Sequence, residues 1–122
     1  MRCANNQMTL GEMIATLKRK DPDKQITFGF GYSRPTGVDS YRGYYEDLAI
    51  GYQSCAECTV EKLLKMLESV HGKTLTGYKG GDYLMDDDTV VWAANYGLSG
   101  GMAIVDIVDM RYEIWIKTEL VD

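Results

Sequence analysis

The segment GMAIVDIVD at 101–109, followed after Met110 by RYEIWIKTEL at 111–120, decides the fold. Ile104, Ile107, Tyr112, Ile114 and Ile116 are β-prone side chains. The two halves predict two long strands joined by a tight turn. Upstream, Thr89 to Ala94 is apolar and β-branched at its start, which predicts a strand, with a turn over Gly97–Gly101. Lys73 to Tyr78 reads as a short strand and Gly80-Gly81-Asp82 as a turn. Gln25 to Phe30 alternates Ile26, Phe28 and Phe30 with polar or small residues, again a strand. Gly31 to Asp39 reads as a loop rich in Gly, Ser and Pro, and Asp47 to Tyr52 as a further strand.

Two helices interrupt these strands. Thr9 with Glu12 three residues on forms a capping box, and Leu10, Met13, Ile14 and Leu17 make one apolar face. Lys18, Arg19 and Lys20 are expected in the last turn, before Asp21-Pro22-Asp23 ends the helix; residues 1–8 read as a loose lead-in. Thr59 caps the second helix, Val60, Leu63, Leu64 and Leu67 set its face, and His71-Gly72 closes it. The order helix, strands, helix, strands is α+β, a mainly antiparallel sheet with two amphipathic α-helices. The 122 residues show no linker or composition shift, so 1–122 reads as a single domain.

Composition narrows the partners. The formal net charge is −5, which argues against a sequence-independent grip on DNA. No apolar run approaches a membrane span, and Met1 to Leu10 lacks a signal-peptide core, so a cytoplasmic protein is expected. Cys3, Cys55 and Cys58 are an odd number of thiols, suited to a reducing compartment. Cys55-Ala-Glu-Cys58 opens a helix but lacks the two further ligands of a zinc site. Asp86-Asp87-Asp88 lacks the alternation of a Ca²⁺ loop and reads as a solvated turn. No metal or cofactor is expected.

The chemistry-bearing residues fall in two stretches. SYRGYYEDLAIGY at 40–52 sets Tyr41, Arg42, Tyr44 and Tyr45 around Gly43. Arginine binds phosphate through two parallel bonds, and tyrosine rings stack on a base. GYKGGDYLMDDDTVVWAANYGLSGG at 77–101 adds Tyr78, Lys79, Tyr83, Trp92, Asn95 and Tyr96. Lys79 supplies a cation in a Gly-rich turn, and Asn95 has donors and an acceptor for a base edge or ribose hydroxyl. Each has a plain alternative: an edge strand with exposed tyrosines, a hairpin turn, a core tryptophan. His71 is the sole histidine and has no visible nucleophile beside it, so no catalytic set is selected.

The combination of S-Y-R-G-Y-Y-E-D-L-A-I, T-V-E-K-L-L-K-M-L, T-G-Y-K-G-G-D-Y-x-M and W-x-A-N-Y-G resembles small phage and prophage proteins, specifically the Thoeris anti-defence family Tad-one, the cyclic ADP-ribose sponges. The resemblance spans about residues 9–105. It implies a non-enzymatic protein that sequesters glycocyclic ADP-ribose signals inside an infected or lysogenic bacterial host. It also implies a homo-oligomer with pockets near subunit interfaces, and cyclic oligonucleotide signals as further ligands. The family's stacking aromatics, asparagine and arginines would correspond to Tyr83, Asn95, Arg42 or Arg111. The competing reading is a protein-binding inhibitor of a host defence protein, since interfaces favour tyrosine and arginine.

Overall fold

In the computed structural model, which describes residues 6–94 and 100–121, the capping box at Thr9 is formed in full. Thr9 Oγ1 accepts from the Glu12 N–H (3.2 Å) and Glu12 Oε1 accepts from the Thr9 N–H (2.9 Å). Two of the donors that a helix start leaves unpaired are thereby satisfied. Helix α1 (Leu10–Leu17) buries Leu10, Met13, Ile14 and Leu17, the expected face. It ends at Leu17, one turn early. Lys18, Arg19 and Lys20 therefore lie beyond the helix rather than in its last turn, and Lys20 is spent on Asp109 at 2.8 Å. Helix α2 (Val60–Val70) starts at Thr59, whose side chain accepts from the Lys62 N–H (3.2 Å). It buries Val60, Leu63, Leu67 and Val70, and Gly72 past its end takes φ +79°, a left-handed conformation.

Eight strands accompany the helices among the described residues: β1 (Gln25–Phe28), β2 (Ser33–Ser40), β3 (Leu48–Ser54), β4 (Thr74–Thr76), β5 (Asp82–Leu84), β6 (Val91–Ala93), β7 (Gly101–Asp109) and β8 (Glu113–Val121). Six form one sheet in the order β1-β8-β7-β6-β3-β2, and β4 and β5 form a separate hairpin. The pairs β7–β8, β6–β7, β2–β3 and β4–β5 are antiparallel; β1–β8 and β3–β6 are parallel. The class is α+β with a mainly antiparallel sheet. The long β7–β8 hairpin is present, with 110–112 forming its turn through the Met110 N–H and Glu113 O (2.9 Å). β1 stops at Phe28, short of Phe30.

Three segments differ from the sequence expectation. The stretch read as a loop, Ser33–Ser40, is strand β2, paired with β3 from Ser33↔Ser54 to Ser40↔Leu48 around a bulge between Pro35 and Gly37. An end strand tolerates a proline there because half its N–H groups face away from the ladder. Asp82 begins strand β5 rather than belonging to a turn. Residues 7 and 8 are not loose: Gln7 and Met8 are buried. The Met8 N–H reaches Ile104 O (2.8 Å) and the Val91 N–H reaches Met8 O (3.2 Å), so this segment bridges β6 and β7.

Both helices cover one face of the sheet. Their apolar residues pack with Ile26, Phe28, Leu48, Ile50, Val91, Ala93, Ile104, Ile114 and Ile116 in one core. The sheet curls until its end strands meet. Phe28, Phe30 and Tyr52 close that seam on the core side, with ring centroids 5.0–5.3 Å apart. On the other side Arg34 Nε donates to Thr27 Oγ1 (3.0 Å), which donates to Glu113 Oε2 (2.9 Å). Among the described residues no helix covers the opposite sheet face. There Tyr41, Ala49, Trp92 and Ala103 form a second, smaller cluster.

Candidate ligand-binding site

Side-chain alternation makes the helix-free face. Ile50 and Ala93 point to the main core, so Ala49, Gly51 and Trp92 point away from it. Gly37 stands directly opposite Gly51 across β2–β3, and Ala49 pairs with both Asp39 and Trp92. Ala94 continues the row, its N–H bonded to Ile50 O (2.9 Å). Four positions on three neighbouring segments thus carry at most a methyl group. Above them lies a groove of about 440 Å³ whose walls include Asp39, Tyr41 and Arg42. That volume is within the range of sites for small molecules.

The aromatic wall is rigidly built. Tyr41 stacks on Trp92 with centroids 4.8 Å apart and planes 5° from parallel. Tyr44 leans on both, at 6.3 and 5.9 Å. Gly101 makes this stack possible: a Cβ there would stand 2.6 Å from Trp92 Cζ3 and 2.8 Å from Tyr41 Oη. Gly43 has the same role on the other side, where a Cβ would lie 2.5 Å from Tyr41 Cε2. Trp92 Nε1 donates to Asp47 Oδ2 (2.9 Å), and the loop 41–47 is tied by Tyr41 N–H to Asp47 O and Asp47 N–H to Tyr44 O, both 2.9 Å. Asp47 is 3% exposed. Burial pushes its carboxyl up to about 6, against the opposing pull of the Trp92 hydrogen bond.

The cationic wall is placed by a ring contact. Arg42 is exposed and its guanidinium sits 4.0 Å over the Tyr78 ring. It has no ion-pair partner among the described residues. Tyr78 belongs to the β4–β5 turn, where Gly80 and Gly81 take φ +91° and +85°. A Cβ on Gly77 would meet Tyr83 at 2.9 Å and Tyr45 at 3.2 Å, and those two rings lie 5.9 Å apart. The two aromatic stretches of the sequence therefore pack against each other.

The sequence candidates divide accordingly. Tyr41, Arg42, Tyr44 and Trp92 come together, with Tyr78, Lys79 and Tyr83 on the bordering hairpin. Trp92 is 1% exposed and Tyr41 3%, so the stacked pair supports the wall from behind and neither ring offers an open face; Tyr44 is the exposed ring of the three. The Gly77 and Gly80 N–H groups are used inside their own turn, at 2.9 Å each, and are not directed at an anion. Arg111 lies at the β7–β8 turn, 5.2 Å from Tyr112. Ala103 marks the groove end of β7, and six residues of strand, roughly 20 Å, separate it from Asp109. Arg111 is thus not part of this cluster. Asn95 and Tyr96 lie outside the described residues, as does Cys3.

Asp39, Asp47 and the glycine pair Gly37–Gly51 were not legible as site residues, because their meaning depends on which strands are neighbours. Elsewhere, Cys55 is exposed at φ +61° and Cys58 is buried, its thiol pushed up by that burial. Among the described residues no three His, Cys, Asp or Glu side chains group as metal ligands. His71 Nε2 contacts Asp87 Oδ1 at 2.6 Å on the helix side of the molecule. Among the described residues no helix is long and apolar enough to cross a membrane. Comparison with protein families, curated proteins and solved structures finds no match to this chain.

Proposed function

We propose that this chain is a nucleotide sponge: it binds a cyclic, ADP-ribose-like signal in the groove on the open sheet face and holds it without cleavage. The observation that carries the reading is the groove itself, where a floor of Gly37, Ala49, Gly51 and Ala94 meets a fixed tyrosine and an unpaired guanidinium. A planar ring fits a floor that carries nothing larger than a methyl group. Arg42 supplies bidentate donors for a phosphate. Tyr41 is held by its stack on Trp92, so little side-chain freedom remains to be lost on binding, which favours affinity. Sequestration needs affinity and slow release, and nothing more. In this reading the protein works in the cytoplasm of a bacterial host of a phage, as the resemblance to the Tad-one sponges implies. Its assembly is a homo-oligomer with pockets near subunit interfaces.

The test is capture and release. The protein is incubated with glycocyclic ADP-ribose, freed of unbound ligand, heat-denatured, and the supernatant is analysed by mass spectrometry. Recovery of the intact cyclic nucleotide at near-stoichiometric amounts is expected. A linear or otherwise altered nucleotide would identify an enzyme instead. No nucleotide from this or from a cyclic oligonucleotide panel would turn the assignment to a protein-binding inhibitor, for which the exposed Tyr32, Tyr112 and Leu120 provide contact surface. Light scattering across micromolar concentrations should return a multiple of the 13.7 kDa chain; a constant single-chain mass would refute the oligomer.

A further inference from the structure

The groove carries two opposite charges that do not meet. Asp39 and Arg42 both line it and both are exposed, yet no ion pair joins them, and neither has another ion-pair partner among the described residues. Asp39 is fixed in direction. Its Oδ1 accepts from the Ser40 N–H at 2.8 Å, which leaves Oδ2 as a bare acceptor. Its register partner is Ala49, so the carboxylate stands on the same face as the glycine floor. Such a groove is a poor site for a simple anion, because the carboxylate repels it. It suits a ligand that brings an anion to Arg42 and hydrogen-bond donors to Asp39.

Resting on the sponge reading above, we infer that Asp39 is the specificity-determining residue of the groove, accepting from a ribose hydroxyl of the bound nucleotide while Arg42 takes a phosphate. A hydroxyl pair on a ribose meets an ionised carboxylate well, since each hydroxyl donates one bond and the carboxylate only accepts. A site that hydrogen-bonds a substrate hydroxyl also rejects analogues lacking it, because its own acceptor is then left unpaired. Asp39 thus separates ribose-bearing signals from free pyrophosphate and from deoxyribose analogues.

The experiment is calorimetric titration of the full chain and of Asp39→Asn with three probes: cyclic ADP-ribose, its analogues with single ribose hydroxyls replaced by hydrogen, and inorganic pyrophosphate. In the variant the Ser40 N–H keeps the amide oxygen, so the NH₂ donor replaces Oδ2 toward the groove. The variant should bind cyclic ADP-ribose about ten- to a hundred-fold more weakly. It should bind pyrophosphate more tightly than the parent does, a change of opposite sign that misfolding cannot produce. One deoxy analogue should bind the parent weakly and be indifferent to the substitution. A variant that binds cyclic ADP-ribose as well as the parent, or better, overturns the assignment while leaving the sponge reading intact. So does a parent that binds every deoxy analogue undiminished. A parent that binds none of these nucleotides yet retains glycocyclic ADP-ribose in the capture test overturns this inference alone; one that also fails the capture test overturns the sponge reading, and this inference with it.

Discussion

Asp47→Asn should stabilise the protein, and increasingly so as pH rises. The buried Asp47 carboxyl is pushed from its ordinary value of 3.8 up to about 6. Between those values the folded state binds more protons than the unfolded one, so stability falls as pH rises through that window. Asp47's favourable contribution is complete below about pH 4 and is gone above about pH 6. A gap of about two units corresponds to about 3 kcal/mol at 1.36 kcal/mol per unit. Asparagine keeps a carbonyl to accept from Trp92 Nε1, now 2.9 Å from Asp47 Oδ2, and carries no charge to desolvate. The gain at pH 8 should therefore approach that figure, on the order of 10–15 °C in Tm for a chain of this size. Asp109, held low by the Lys20 hydrogen bond, and Glu113, held low first by Trp115 and then by Thr27 and Arg34, act in the opposite sense and lose stability as pH falls. The quantity to measure is consequently the difference between variant and parent, by thermal melts at intervals from pH 4 to 8. A difference that stays constant with pH would refute a raised Asp47. A variant less stable than the parent at pH 8 would show that the ionised Asp47–Trp92 bond is itself stabilising.

Three further outcomes are expected. Arg42→Ala should weaken nucleotide binding about ten- to a hundred-fold with little change in Tm, and Lys79→Ala should weaken it less, by calorimetry and melts; equal binding by Arg42→Ala would place the pocket elsewhere. Gly101→Ala should cost about 1–3 kcal/mol and impair binding, because its Cβ cannot fit beside the Tyr41–Trp92 stack; an unchanged denaturation midpoint would mean that the stack yields. Cys55→Ser should leave stability and binding unchanged and Cys58→Ser should cost about 1–3 kcal/mol, since a hydroxyl replaces a buried thiol; loss of nucleotide binding on chelator treatment would contradict the expected absence of metal.

Much of the architecture is written locally. Thr9 and Glu12 announce α1, and Thr59 announces α2, because a helix start is satisfied by residues three positions away. The helix faces and the β7–β8 hairpin follow from periodicity and β-prone side chains between neighbours in sequence. Of the candidate residues in the aromatic stretches at 40–52 and 77–101, Tyr41 and Arg42 line the groove. Even so, Ser33–Ser40 has none of the apolar alternation of a strand. It is one because β3 supplies its partners, with a bulge to absorb Pro35. The parallel pairs β1–β8 and β3–β6 join segments far apart in the chain, which no local pattern encodes. The groove floor is of the same kind. Gly37, Ala49, Gly51 and Ala94 are ordinary small residues until three strands stand side by side and their missing side chains coincide. Trp92 likewise reads as an aromatic platform in sequence, and becomes a buried support once Asp47 binds its indole and Tyr41 covers it. Capping and periodicity act over a few residues and survive in a linear text; a sheet's bare face is a sum over strands that only folding brings together.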